Sequence, residues 1–367
     1  MRRPSLSGLS ASLQRVDQLP LLAMANPITF AVPVVALGGL LIGLFSIPVT
    51  RTPRWSFEQI WGAGSLIALL LLPWPLALIT APNLAKIYGA VPSGVLIAVI
   101  LSGIGWGIGG IFWGKAIDAL GMALGVSLLL GLINIFSSIA PLAIFDPIKL
   151  TTRGGFALMT AVAVMLGGVV LIALAGKFRE REQSGVRQTK KKTKTPFSVG
   201  LILCLLSGIP SALPNFAFIF GRPLAEAARA NGVPTFATSF PLWALVFTGN
   251  YLVNFLYALV IMIRRGTLRT IVVNSSPAYW AAALFMGLAW PGGIVVYGIG
   301  AAAMGPYGAY AGYPMMLLCS ILAGNLSGIV FGEWKGSQKT SRQTMIAGIL
   351  VMLIAFGLLG YANHLLG

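Results

Sequence analysis

The sequence predicts an all-α polytopic membrane protein whose ten transmembrane helices form two inverted five-helix repeats. Three observations predict this fold: the composition, the spacing of the apolar stretches, and a match between the two halves of the chain. Hydrophobic residues make up 57% of the 367 residues, charged residues only 9%, and the mean hydropathy is +0.88. Soluble globular domains do not have this composition, so we expect the chain to be embedded in a lipid bilayer.

Ten apolar stretches reach the length of roughly 20 residues that crosses a bilayer. The predicted spans are 28–49, 58–80, 92–114, 119–143 and 155–176, followed by 198–221, 237–262, 278–300, 305–331 and 344–364. They divide the chain into an N-terminal tail at 1–27, a first repeat at 28–176, a basic linker at 177–197 and a second repeat at 198–367.

The charges of the loops predict the orientation. Most Lys and Arg residues follow spans one, three, five, seven and nine, with the densest run between Lys177 and Lys194. Because loops on the cytoplasmic side are enriched in Lys and Arg, we expect both termini on the periplasmic side of a bacterial inner membrane. We interpret the dense run as a solvated linker that determines topology.

The net charge of +17 is dispersed over short loops, which argues against nucleic acid as a partner.

The two halves match each other at an offset of 184 residues. The matched pairs are Trp106 with Trp290, Gly109 with Gly293, Trp113 with Tyr297, Gly114 with Gly298, and Gly121 with Gly305. Because each half has an odd number of spans, the two copies must have opposite orientations in the membrane. Inverted repeats are typical of secondary transporters, which bind substrate between the halves. Pro291, Gly292 and Gly293 predict a break in the middle of the eighth helix.

Amide and aromatic side chains within the spans are the candidates for substrate binding. The amides are Asn134, Asn215, Asn250, Asn254 and Asn325, and the aromatic residues are Trp106, Trp113, Trp290, Tyr297, Tyr310 and Tyr313. Asn250 and Asn254 share one face of a helix because they are four residues apart. Each amide alone could instead bond a neighbouring helix, since an unpaired amide is costly in hydrocarbon. Together they favour a sugar site, because aromatic rings cover C–H groups and amides bond hydroxyls.

The sequence contains few residues suited to proton transfer, metal binding or catalysis. No carboxylate falls at a predicted bilayer midplane, where a proton relay would be expected. Cys204 and Cys319 lie in apolar segments without metal-ligand spacing, so we expect no metal and no cofactor. With one His and no clustered Asp pair or Cys/His set, the chain does not look like an enzyme, such as a membrane-embedded glycosyl or acyl transferase.

Several motifs match one known family. In the first half they are Trp55-Ser56-Phe57-Glu58 with Trp61, Leu72-Pro73-Trp74, Trp106-Gly107-Ile108-Gly109 with Gly114, and Leu120-Gly121-Met122 with Gly125. In the second half they are Asn215, Pro223, Glu226-Ala227-Ala228, Gly232-Val233 and Glu333-Trp334-Lys335. From about residue 24 to its end the chain resembles the L-rhamnose–proton symporters of the drug/metabolite transporter superfamily.

The resemblance implies a ten-helix fold of two inverted repeats and the uptake of a deoxy sugar with a proton. It makes Glu226, Glu58 and Glu333 the carboxylates available for proton coupling. Glu226 is the first choice because it follows the Asn215 region, although it could equally be an interfacial partner of a nearby arginine. The chain departs from the family pattern at Gly293 and Ala309, where the family has polar residues that include an acid.

Our leading hypothesis is therefore a secondary transporter that imports L-rhamnose or a related monosaccharide by proton symport with alternating access. A second hypothesis keeps the fold and changes the cargo to an amino acid, a nucleoside or an exported metabolite. A membrane-embedded transferase and a purely structural role are the alternatives from other classes.

Overall fold

The computed structural model describes residues 27–45, 47, 52, 54–120, 122–183, 196–273, 275–332 and 334–367. All regular secondary structure in these residues is helical. The predicted N-terminal tail, apart from Pro27, lies outside the described residues. So do Glu333 and most of the predicted linker.

Ten long helical segments, labelled α1 to α10 in chain order, make up most of the described chain. They are Pro27–Leu44, 57–80, Ser93–Leu120, 122–145, Arg153–Gln183, Phe197–Phe220, Phe240–Arg265, Pro277–Ala303, Gly308–Val330 and Lys339–Leu366. α2 and α4 each contain a π-helical turn, at Ile67–Leu71 and Ile135–Ile139. Short helices follow α2, α4, α6 and α7 at Leu84–Gly89, Pro147–Leu150, Arg222–Ala230 and Thr270–Val273.

Among the described residues, the nine helices α2 to α10 are long and apolar enough to cross a membrane. The remaining segment, α1, is also apolar but shorter, with Thr29–Leu44 as its apolar part. The prediction of an all-helical polytopic membrane protein is thus confirmed. The count of ten spans stays a prediction, because the apolar part of α1 within the described residues is shorter than the roughly 20 residues that cross a bilayer.

α8 is continuous from Pro277 to Ala303, so the predicted break after Trp290 is wrong. A broken helix would leave backbone groups without partners in hydrocarbon, which costs more than the single bond that Pro291 removes. The glycines serve packing instead: a Cβ on Gly293 would lie 2.5 Å from the carbonyl oxygen of Gly38 in α1. Close contact with α1 therefore supports α8 where its sequence is least helix-forming.

The helices approach one another through glycine. α3 packs against α6 and α7, α1 packs against α8 and α9, and α5 packs along α10. A Cβ on Gly103 of α3 would overlap the carbonyl oxygen of Val246 in α7. At Gly109 of α3, a Cβ would lie 2.7 Å from Ser211 Oγ in α6, and Ser207 Oγ donates a hydrogen bond to the Gly109 carbonyl at 2.8 Å. Such small residues allow backbone contact, which drives helix association in lipid.

Replacing Gly103 by alanine should destabilise the bundle, because the added Cβ forces α3 and α7 apart. Overpacking of this kind costs about 1–3 kcal/mol of the free energy of unfolding. Gly110→Ala is the matched control, since nothing lies within 4 Å of a Cβ at that position of the same helix. Thermal unfolding of the purified protein in detergent should give a lower melting temperature for Gly103→Ala alone. Equal melting temperatures would contradict the close contact between α3 and α7.

Candidate functional site

A cluster of aromatic rings lies between α2, α3, α7 and α8. The ring centroid of Trp290 in α8 is 5.0 Å from that of Trp106, 5.4 Å from that of Trp61 and 6.4 Å from that of Phe247. The three tryptophans are half-buried, so part of each ring remains accessible. Trp106 and Trp290 are the pair that the match between the halves identified, and the structure brings them into contact. We call these four residues the aromatic centre.

Two of the predicted amides adjoin the aromatic centre. Trp61 Nε1 donates a hydrogen bond to Asn254 Oδ1 at 2.8 Å, and Asn254 Nδ2 donates to the Asn250 carbonyl at 3.1 Å and to Asn250 Oδ1. Both asparagines are buried. Asn250 Nδ2 has no hydrogen-bond partner within the described part of the chain. An amide donor without a protein partner is where a ligand hydroxyl can bind.

Asn215 forms a separate junction between α4, α6, α8 and α9. Its Nδ2 donates to the carbonyls of Ser137 at 2.6 Å and Ala309 at 3.0 Å, while its Oδ1 accepts from the hydroxyl of Tyr297 at 2.5 Å. The ring of Tyr313 stands edge-on to that of Tyr297, with 5.4 Å between centroids. Because both amide hydrogens are used, Asn215 joins helices in this conformation and offers no free donor to a ligand.

The other four predicted site residues do not join the aromatic centre. Trp113 is half-buried and packs between α3, α4 and α6. Asn134 and Asn325 each donate to the carbonyl four residues earlier in their own helix, although Asn134 Oδ1 is buried without a partner in the described residues. Tyr310 lines a cavity near the start of α9. Asn325 lines another of about 150 Å³ near the end of that helix.

The predicted proton-coupling carboxylates differ in environment. Glu58, at the start of α2, has a side chain only 8% exposed and accepts from Arg265 Nη1 at 3.1 Å, which ties α2 to the end of α7. Glu226 has a side chain 68% exposed and lies 4.0 Å from Arg222 one turn earlier. Its ion pair is therefore a surface contact of small energetic weight.

A cavity of about 320 Å³ lies between α6, α7, α8 and α9, and we call it the α6–α9 cavity. Its wall includes Phe218, Ser239, Leu242 and Tyr310 together with the exposed Arg222, Glu226 and Arg229. A cavity of about 190 Å³ adjoins it and shares Arg222 and Tyr310. Hydroxyls, charges and aromatic rings thus converge at the end of the bundle where α9 begins.

Sequence reasoning missed several residues of these sites. Trp61 is in a recognised motif but near the start of its span, so nothing in the sequence placed it beside Trp290. Asp146, at the end of α4, accepts a hydrogen bond from the Tyr307 hydroxyl at 2.6 Å. That bond raises the pKa of the Tyr307 hydroxyl, which therefore remains a donor. The two residues are 161 positions apart, and no local pattern links them.

Comparison with known proteins gives one consistent result. The family model of the L-rhamnose-proton symport protein (RhaT) matches residues 24–364. The L-rhamnose-proton symporter of Yersinia pestis (strain Pestoides F) is 29% identical over 327 residues, which is 86% of this chain and 92% of that protein. The symporters of Yersinia pseudotuberculosis serotype O:1b (strain IP 31758) and Yersinia pestis bv. Antiqua (strain Antiqua) are 29% identical over 327 and 329 residues, with the same coverage. The family model spans nearly the whole chain, so the chain belongs to the L-rhamnose-proton symport protein family.

Proposed function

We propose that this protein imports L-rhamnose, or a closely related monosaccharide, across the bacterial inner membrane together with a proton. The family match over residues 24–364 carries the proposal, since the relatives are named for both solutes. No comparison favours an amino acid, a nucleoside or an exported metabolite as cargo, and the family is one of transporters, which points away from a transferase.

The aromatic centre suits such a cargo. A deoxy sugar has C–H groups and a methyl group on one side and hydroxyls on the other. The half-buried rings of Trp61, Trp106 and Trp290 offer faces to the C–H and methyl groups. The amides of Asn250 and Asn254 offer donors and acceptors to the hydroxyls. We place the substrate site at this centre and assign Asn215, Tyr297 and Tyr313 to the supporting junction.

The proposed fold has ten spans in two inverted halves, at 28–176 and 198–367. The packing supports it, because α3 packs against α6 and α7 as α8 packs against α1 and α2. Gly103 contacts α7, and Gly287, 184 residues later, contacts α2, with its Cβ position 2.8 Å from the Gly64 carbonyl. Gly109 and Gly293 contact α6 and α1 in the same way. Equivalent glycines therefore make equivalent contacts, and Trp106 meets Trp290 where the halves face each other.

For proton coupling we propose Glu58 ahead of Glu226. The Glu58–Arg265 ion pair joins α2 of the first half to α7 of the second, so protonation of Glu58 would release a contact between halves. Such a release is what coupling to alternating access requires. Protonation of the exposed Glu226 changes no contact between helices of different halves, because its partner Arg222 is on the same helix.

The proposed orientation places both termini in the periplasm and the linker at 177–197 in the cytoplasm. A maleimide that does not cross membranes should label Ser184→Cys in inside-out vesicles only. The variant is made in a Cys204→Ala, Cys319→Ala background, which removes the two buried native thiols. Thr151→Cys, at an exposed position between α4 and α5, is the control and should be labelled in right-side-out vesicles. Labelling of Ser184→Cys from outside would invalidate the orientation.

Purified protein in proteoliposomes should couple sugar to proton movement. An L-rhamnose gradient should drive proton flux that is absent in empty liposomes, and L-mannose, which carries a hydroxymethyl group where L-rhamnose has a methyl group, should be a weaker substrate. The sugar's apolar edge is what the tryptophan rings would bind. If L-rhamnose is neither bound nor accumulated, the proposal fails. Accumulation without proton flux would remove the symport mechanism and leave the sugar assignment.

Trp61→Phe should weaken sugar binding, because it removes the indole N–H that fixes Asn254 while keeping an aromatic ring. Loss of one such hydrogen bond should raise KM by about threefold to tenfold. Trp74→Phe is a close control: Trp74 Nε1 donates to Thr248 Oγ1 at 2.9 Å, also between α2 and α7 but outside the aromatic centre. Uptake kinetics for labelled L-rhamnose will separate the two variants. An equal change in both would show that Trp61 acts only on helix packing.

A further inference from the structure

We propose that the α6–α9 cavity is a second monosaccharide site, distinct from the aromatic centre, which holds the sugar before it reaches the centre. This inference rests on the proposed function, because it takes the same sugar as ligand. The volume of about 320 Å³ lies at the lower end of the range of small-molecule sites. A pocket of that size suits a single sugar ring.

The inner wall of the cavity carries polar groups without partners. Ser239, which is 4% exposed, lines the cavity, and its Oγ has no hydrogen-bond partner among the described residues. Tyr310 is 5% exposed, and no hydrogen bond of its hydroxyl is found within the described chain. Buried hydroxyls are normally paired, so the unpaired Ser239 hydroxyl, together with the Tyr310 hydroxyl on the same wall, points to a ligand that has hydroxyls.

A third unpaired group lies beside Ser239. The indole Nε1 of the fully buried Trp243 also lacks a partner in the described residues. Both groups border a notch left by the missing side chain of Gly298. A Cβ there would lie 2.6 Å from Trp243 Nε1 and 3.1 Å from Ser239 Oγ. These distances leave no room for a ligand atom beside Gly298, so the notch shows only that two unpaired polar groups lie close together behind the cavity wall.

The rest of the wall has groups that can bind both the apolar and the polar side of a sugar. Phe218 and Leu242 supply an apolar surface, and the ring of Phe218 stacks on Trp243 with 5.7 Å between centroids. Both signs of charge are present at the exposed side, where Arg222 pairs with Glu226. Guanidinium and carboxylate groups together can donate to and accept from adjacent hydroxyls, whereas an anion would meet the carboxylate.

A chain of aromatic rings connects this cavity with the aromatic centre. From Phe218 it passes to Trp243, then 5.8 Å to Phe247 and 6.4 Å to Trp290. Trp243 and Phe247 are fully buried, so these rings link the two sites by packing and form no open path for a sugar in this conformation. The cavity lies at the end of the bundle that the loop charges predict to be periplasmic, where an imported sugar would arrive first.

The test is equilibrium dialysis of labelled L-rhamnose against the purified full-length protein, together with uptake kinetics. Ser239→Ala combined with Tyr310→Phe removes only two hydroxyl oxygens. The control is Ser102→Ala combined with Tyr361→Phe: Ser102 bonds its own helix, and Tyr361 is an exposed residue of α10. We expect two sugars bound per wild-type chain and per control chain, and one per test variant. The KM for uptake should rise about threefold to tenfold in the test variant, with the maximal rate within about twofold.

The outcomes separate this inference from the proposed function. One bound sugar in the wild type, or equal stoichiometry and KM in test and control variants, overturns the second site and leaves the transport of L-rhamnose intact. Absence of any L-rhamnose binding or uptake by the wild type overturns the proposed function and this inference together.

Discussion

Helices in a bilayer gain little by burying apolar side chains against one another, because lipid tails are equally apolar, so this bundle depends on close backbone contact at glycine. Gly103 and Gly249 place α3 against α7, and Gly38 and Gly293 place α1 against α8. These contacts determine where the larger side chains can go. Trp106 and Trp290 lie within one turn of Gly103 and Gly293, and their rings meet between the halves.

Because the hydrocarbon of the bilayer offers no hydrogen-bond partners, the bonds that a buried polar side chain makes within the protein indicate its role. Where an amide bonds the preceding turn of its own helix, as Asn325 does, it is satisfied without any tertiary partner. Asn215 uses all its donors to join four helices, and it is structural in this conformation. Ser239 and Trp243 each keep a buried unpaired group, judged over the described residues. A polar ligand can supply such a group with the partner that hydrocarbon lacks.

Much of the fold was predictable from the sequence, because spans depend on local composition and the match of Trp106 with Trp290 is visible in the chain itself. The predicted break at Pro291 was wrong, because packing against α1 stabilises the helix despite the low helix propensity of this segment. Contacts between distant residues were not predictable. Glu58 and Arg265 are 207 positions apart, and no local sequence pattern indicates that they form an ion pair. The amides were recognised as a group, but which of them bond helices depends on neighbours that only the fold supplies.

The packing at Gly293 also bears on how a proton is coupled. A side chain at Gly293 would collide with the Gly38 carbonyl, so this chain has no room there for the acidic group that the sequence resemblance leads us to expect in this region. At Ala309 the backbone carbonyl already accepts from Asn215. Asp146 also bonds across the two halves, to Tyr307, but Glu58 is the carboxylate there that is buried and paired with a cation. While it is ionised, Arg265 holds α2 to α7. In the proposed mechanism, protonation would remove that attraction, so that the relative position of the halves would depend on proton binding.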